Sequence, residues 1–452
     1  MTDVLGSLWW LLVAIGVLVT FHELGHYWVA RRAGVKVLRF SVGFGKPLLS
    51  RHDRNGTEWA LAAIPLGGYV KMLDEREGDV AAAERPQAFN NASVWRRIAI
   101  VAAGPLANLL LALLLIWAML VIGRPDYLPV IGHVQGLAQE AGIRRGDTLL
   151  AVDGQPTPTW TEAANVLMIA AIDRRPVQLQ LRDAGGHETS RTLPLDRMPA
   201  QFEEIAALQL TGLVPRFQLT PAVIGQVQPG APAAEVLQPG DVVTAIDAQP
   251  VASYEDIGPL VQALGRRGGE AMVEVEREGQ RLAFPITPHR LAEPGQPSRW
   301  VLGIGSAPVE AMPAHDAVLR LAPLAAAPAA VRETGALLGN SLGMLWRMVT
   351  GRVSTQNVSG PITIARFANA TAQRGLAWFL NFLALLSVSL AIINLLPVPM
   401  LDGGHLMYYL VELVTGRPPG ERAMAIGQYL GLAFLAGLMG LAFYNDIALL
   451  LR

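Results

Sequence analysis

The chain contains no cysteine, so no disulfide can staple it and no thiolate can hold a metal, which leaves His, Asp and Glu as the available ligands. A chain without thiols also avoids mispairing wherever part of it enters an oxidising space. Charge is scarce as well: 16% of the 452 residues are Asp, Glu, Lys or Arg, 52% are hydrophobic, and the mean hydropathy is +0.34. Soluble domains carry about 25% charge, so a wholly soluble globular protein is excluded. A net charge of -1 with no basic block leaves no electrostatic footprint for nucleic acid. No Lys or Arg precedes the first apolar stretch, and no small-x-small pattern closes it before Arg31 and Arg32. It therefore reads as a retained anchor, not a cleaved signal.

The charge that exists is unevenly spread. Val4 to Phe21, Ile98 to Ile122, Gly375 to Leu401 and Ala423 to Asn445 contain none, over 18, 25, 27 and 23 residues. At a helical rise of 1.5 Å per residue even the shortest covers roughly 27 Å, close to the hydrocarbon thickness of a bilayer. Four transmembrane helices are expected. Residues 30–97 carry 12 Lys and Arg, which places that loop on the cytoplasmic side, with both termini and residues 123–374 outside. Within the loop, Val35 to Phe40, Trp59 to Ile64 and Tyr69 to Leu73 read as short strands around turns at Gly43-Phe44-Gly45 and Pro65-Leu66-Gly67-Gly68. A small β-hairpin region beside the membrane follows.

The long outer segment repeats itself. Val130 to Gln135 matches Val223 to Gln228 at five of six positions, and Gly146 to Pro156 matches Gly240 to Pro250 at six of eleven, with offsets of 93 and 94. Each copy reads as strand, Gly-Asp turn, strand, Asp-containing turn, helix and further strands, a compact α+β unit of about 90 residues. This pattern resembles the core of PDZ domains. The resemblance implies two tandem PDZ-like domains outside the membrane, which bind extended peptides or chain ends by strand addition. Leu210-Thr211-Gly212-Leu213 and Val301-Leu302-Gly303-Ile304 would be their carboxylate-facing turns. A Pro/Ala-rich connector and an amphipathic helix, Val331 to Val349, follow.

His22-Glu23-Leu24-Gly25-His26 closes the first uncharged run. On a helix, His residues at i and i+4 share one face, so both imidazoles can reach one tetrahedral Zn²⁺, and the intervening Glu is placed to take a proton from water. Ionisable residues at the edge of hydrocarbon cost several kcal/mol and usually mark function. A third ligand is needed. Asp402 and His405 are the ionisable residues near the end of the third run, where Asn394 to His405 interrupts the span with Pro397, Pro399, Gly403 and Gly404. A carboxylate would partly neutralise the cation, which favours Asp402, but spacing alone separates the two poorly.

H-E-x-x-H in the first span together with N-x-x-P-x-P-x-L-D-G in the third resembles the paired signature of the site-2 protease family of intramembrane zinc metalloproteases. Gly43-Phe44-Gly45, Pro65 to Met72, Ala103 to Asn108 and Ser359 to Ile362 extend that resemblance along the chain. It implies one Zn²⁺ on His22, His26 and Asp402, Glu23 as general base, Asn394 holding the substrate backbone, and Gly43, Phe44 and Gly45 in a membrane-re-entrant β element that offers an edge to the substrate. It further implies a multi-pass protein of the bacterial inner membrane with periplasmic PDZ domains. Its substrates would be single-span anti-sigma factors already trimmed by a first protease, and signal-peptide remnants. The expected organisation is a first transmembrane helix over 1–30, the β region over 31–97, a second span over 98–122, PDZ-like domains over 123–216 and 217–310, and a connector with the amphipathic helix over 311–374. A third span over 375–401, a loop over 402–422 and a fourth span over 423–448 complete it. The rival reading is a non-catalytic PDZ scaffold in the membrane.

Overall fold

The computed structural model describes residues 2–451 apart from Gln201, 203–205, 293–297 and Glu310. Contacts divide the chain into two units, Met1–Arg124 with Arg320–Arg452, and Pro125–Leu319. The first uncharged run lies inside helix α1, Thr2–Arg32, with Asp3 in its first turn and Arg31 and Arg32 in its last, which suits the helix dipole. The second lies inside α2, Val94–Ile122. These two helices meet through small residues: a Cβ on Gly25 would fall 2.3 Å from the Ala103 carbonyl oxygen and 2.7 Å from the Ala107 Cβ. Such close backbone approach is how apolar helices associate where no hydrophobic force separates them from lipid.

Between α1 and α2 run strands β1, Val37–His52, and β2, Glu58–Met72. The expected turns at Gly43 to Gly45 and Pro65 to Gly68 are bends inside these long strands. Val37 to Val42 pairs with Gly68 to Met72, Arg39 to Val42 also pairs with Glu58 to Leu61, and Pro47 to His52 pairs with Glu58 to Ala62, so each strand folds back into two paired segments. Gly43 and Gly45 supply the bend with φ of 94° and 86°. The true reversal is at Asp53-Arg54-Asn55-Gly56, where Asp53 Oδ1 accepts from the Asn55 and Thr57 amides at 2.8 and 3.0 Å. An Asp followed by Asn-Gly is the local sequence signal for this Asx turn.

The second unit contains two sub-structures built alike. In the first, β3 (Ile131–Val134), β4 (Thr148–Val152), β5 (Gln155–Pro156), helix α3 (Trp160–Ile172), β6 (Val177–Arg182), β7 (Glu188–Leu193) and β8 (Leu213–Pro215) follow in chain order. In the second, β9 (Ile224–Val227), β10 (Val242–Ile246), β11 (Gln249–Pro250), α4 (Tyr254–Arg267), β12 (Ala271–Arg277), β13 (Gln280–Ile286) and β14 (Ile304–Ser306) take the same places. The sheets run β5-β4-β6-β7 and β11-β10-β12-β13, and β3-β8 and β9-β14 form the paired closing strands. Repeated carboxylates explain the repeated letters: Asp147 and Asp241 accept the Arg144 and Gln238 amides, and Asp153 and Asp247 accept the Gln178 and Met272 amides, all at 2.8 Å. Alternation is cleanest in β6, where Val177, Leu179 and Leu181 point into the core and Gln178, Gln180 and Arg182 point out.

The chain then re-enters the first unit with α5, Pro323–Val349, which starts eight residues before the expected Val331 because Pro323 sits in the first helical turn and the alanines after it favour helix. Next come α6, Pro361–Gln373, α7, Leu376–Leu395, α8, Asp402–Thr415, and α9, Glu421–Leu451. Asp446 of α9 caps α6, accepting the Gly360 and Ile362 amides at 3.0 and 2.8 Å and the Thr363 hydroxyl at 2.6 Å. Among the described residues, four helices are long and apolar enough to cross a membrane: Asp3–Arg32, Val94–Ile122, Leu376–Leu395 and Glu421–Leu451. Two expectations need correction. The third span stops at Leu395, six residues short, because Pro397 and Pro399 cannot continue it, and Asp402 opens a 14-residue helix where a loop was expected. Arg97 of α2 ties that helix in place through a two-pronged pair with Glu412 at 2.7 and 3.1 Å.

Candidate metal centre

His22 and His26 stand one turn apart on α1, 9% and 8% exposed, with their rings edge to face. Asp402, in the first turn of α8, comes to them across the fold. The Nε2 atoms of the two histidines are 3.2 Å apart, and Asp402 Oδ2 lies 3.1 Å from the first and 3.5 Å from the second. Among the described residues this is the one cluster of three or more His, Asp or Glu side chains able to share a metal.

The geometry fits a small tetrahedral cation. Ligand atoms about 2.0–2.2 Å from zinc in a tetrahedron are separated by about 3.3–3.6 Å; of the three observed separations, 3.5 Å lies in that range and 3.1 and 3.2 Å lie just below it. His26 Nδ1 faces the Ile100 carbonyl oxygen at 2.8 Å, so the ring proton sits there and the Nε2 lone pair points into the cluster. Asp402 Oδ2 is buried and has no hydrogen-bond partner in spite of its two close neighbours. Lone pairs gathered this way repel one another unless a cation lies between them.

Glycine makes room for the cluster. A Cβ on Gly104 of α2 would fall 2.3 Å from His26 Nε2 and 2.7 Å from His22 Cε1. Gly403 and Gly404 let the start of α8 close onto the preceding loop, since a Cβ on Gly403 would meet the Leu396 carbonyl oxygen at 2.1 Å and one on Gly404 the Val398 carbonyl oxygen at 2.6 Å. The packing role of Gly104 within Ala103 to Asn108, and of Gly403-Gly404, is not visible in the sequence. Short-range periodicity carries no signal of a close approach between distant segments.

Glu23, between the two histidines in sequence, lies beside Gly68 of β2. Its Cγ would lie 3.2 Å from a Cβ on Gly68. Phe44 stacks on Tyr69 at 6.2 Å, and a Cβ on Gly67 would meet its ring at 2.3 Å, so the Phe44 ring lies against the strand segment that touches Glu23, while Gly43 and Gly45 lie against Ala62 and Ile64. Asn394 is half-buried in the last turn of α7, and none of the described hydrogen bonds joins it to the cluster. His405, the alternative third ligand, is exposed on α8 beside Tyr408 and is not part of the three-residue cluster.

A His-Glu-His helix and a carboxylate from a second element, set among membrane-length helices, define a membrane-embedded metallopeptidase. The family model described as Peptidase family M50 matches residues 10–438, and the chain belongs to that family, the site-2 proteases. A relative from Xylella fastidiosa that carries a zinc-metalloprotease name is 53% identical over 447 residues, which is 99% of this chain and 100% of the relative. The regulator of sigma-E protease RseP of Escherichia coli is 40% identical over 442 residues, 97% of each chain, and the protease RseP of Yersinia pestis is 38% identical over 452 residues, 99% of this chain and 100% of the relative. Among solved structures, the PDZ domain of an SdrC-like protein of Listeria monocytogenes aligns with 19% of this chain and 87% of its own at 20% identity, with a TM-score of 0.17. The chain is a zinc metalloprotease and a multi-pass membrane protein, which sets aside the non-catalytic scaffold.

Proposed function

We propose that the chain hydrolyses peptide bonds inside the transmembrane segments of single-span proteins in the bacterial inner membrane, with one zinc per chain held by His22, His26 and Asp402. Bound there, zinc supplies a Lewis acid that polarises the scissile carbonyl and acidifies water. Glu23 takes the proton from the attacking water and delivers it to the leaving amide nitrogen. A helical peptide bond is closed to attack, so the substrate unwinds and lies extended against the edge formed by β1 and β2, with Gly43, Phe44 and Gly45 shaping the bend and Asn394 holding its backbone. The two α+β sub-structures act as tandem periplasmic PDZ domains that admit only substrates whose outer domain has been removed. Anti-sigma factors after a first cut, and signal-peptide remnants, meet that description.

The supporting observation is the location of the cluster: two of its three residues, and the proposed base, sit on a helix of membrane length and composition. The test is cleavage of a single-span substrate reconstituted with the full chain in vesicles. The expected result is a cut inside the substrate's span that Glu23→Gln abolishes, with a fall of about 10²–10⁴-fold. Cuts confined to exposed loops, or full activity of Glu23→Gln, would overturn the proposal.

A further inference from the structure

His22 and His26 are held from behind by different means. His26 Nδ1 uses a backbone carbonyl, whereas His22 Nδ1 lies 3.2 Å from the carboxamide of Asn108, a fully buried residue of α2. Asn108 is fixed in turn: Ser387 of α7 donates its hydroxyl to the Asn108 carbonyl oxygen at 2.7 Å. The carboxamide oxygen Oδ1, however, is buried without a partner, while Nδ2 is the atom that faces the imidazole. An Asn in the interior of an apolar helix, with one amide end unused, requires an account.

A histidine that gives Nε2 to a metal carries its proton on Nδ1 and needs an acceptor there, and a ligating histidine nearly always has one. A half-turn of the Asn108 amide exchanges Oδ1 for Nδ2 at the same place. It gives the orphaned oxygen a donor and His22 Nδ1–H its acceptor in one movement, and leaves Nδ2 in the place that Oδ1 held. We infer that Asn108 is the positioning residue of the metal centre, accepting from His22 Nδ1 so that the Nε2 lone pair is directed at the metal. Volume filling alone would be met as well by leucine, which has the same branched outline and no polar atom. The inference rests on His22 being a ligand, as proposed above.

The test compares zinc affinity, by competition with a chelator, for the full-length wild type, Asn108→Leu and Asn108→Asp in detergent, with metal-free thermal melts as a control for folding. A carboxylate can accept from Nδ1–H as the amide oxygen does, so Asn108→Asp is expected to bind zinc at least as tightly as the wild type. Asn108→Leu is expected to lose about 10–100-fold while its metal-free melting temperature is maintained. If the leucine variant does not fold, Asn108→Ala removes the acceptor without added bulk and is expected to show the same loss. Equal loss in the aspartate and leucine variants, or wild-type affinity in the leucine variant, would overturn the inference. A wild type that binds no zinc at all would instead overturn the ligand set on which it stands.

Discussion

Two kinds of acidic centre occur in this chain, and the contrast between them separates structure from chemistry. In the second sub-structure of the Pro125–Leu319 unit, Asp241 is 1% exposed and fully answered: Arg277 grips both oxygens at 2.6 and 2.7 Å, and the Gln238 amide donates to Oδ2. Asp247 nearby is likewise answered by Arg267 and the Met272 amide. These carboxylates bring their own countercharge and hold turns. In the membrane unit, Asp402 presents an unpartnered oxygen to two imidazole nitrogens whose other ring nitrogens are engaged elsewhere. The first arrangement carries its own countercharge, whereas the second gathers two imidazole nitrogens and a carboxylate oxygen within 3.5 Å of one another, a donor set that suits a cation.

Removing the carboxylate from the second kind of centre has the largest expected effect. Asp402→Asn deletes a direct ligand, and zinc affinity should fall by more than the roughly 100-fold upper range for loss of an outer partner, measured by chelator competition. Retention of wild-type affinity would move the third ligand elsewhere, with His405 next in line. Gly104→Ala leaves every ligand in place but sets a methyl where His26 Nε2 now lies, and about a tenfold loss of zinc affinity is expected as the rings are pushed off position. An unchanged affinity would show that α1 and α2 can part without cost.

The smallest effect is expected in the first kind of centre. Hydrogen bonds from Arg277 hold the Asp241 carboxyl below its ordinary range. The folded pKa is thus below the unfolded value of about 3.9, so the stability contributed by the pair is fully present above that value and is lost as the pH falls through the folded pKa. Arg277→Met should make the segment around residues 217–310 open to proteolysis at a lower temperature near pH 7, with the gap from wild type closing in acid, and zinc affinity should not change. A loss of zinc affinity in this variant would erase the distinction between the two centres.

Much of this contrast was readable in the sequence, for identifiable reasons. The His-Glu-His spacing announces itself because helical periodicity is local, and the repeat shows because each copy needs the same carboxylates to tie the same turns. Helix α8 was hidden: Pro397, Pro399, Gly403 and Gly404 all signal a break, yet the glycines are there so that the start of a helix can press against carbonyl oxygens of the preceding loop. The role of Gly104 and the approach of Asn108 to His22 depend on α1 and α2 lying side by side, and no pattern within either segment reports that contact.

The claim that His22, His26 and Asp402 form one zinc site, with Glu23 beside it as base, is tested most directly by the zinc content of purified full-length protein. The account predicts one zinc per chain in the wild type and in Glu23→Gln, and little or none in Asp402→Asn. Stoichiometric zinc in Asp402→Asn, or its loss in Glu23→Gln with the fold intact, would contradict it.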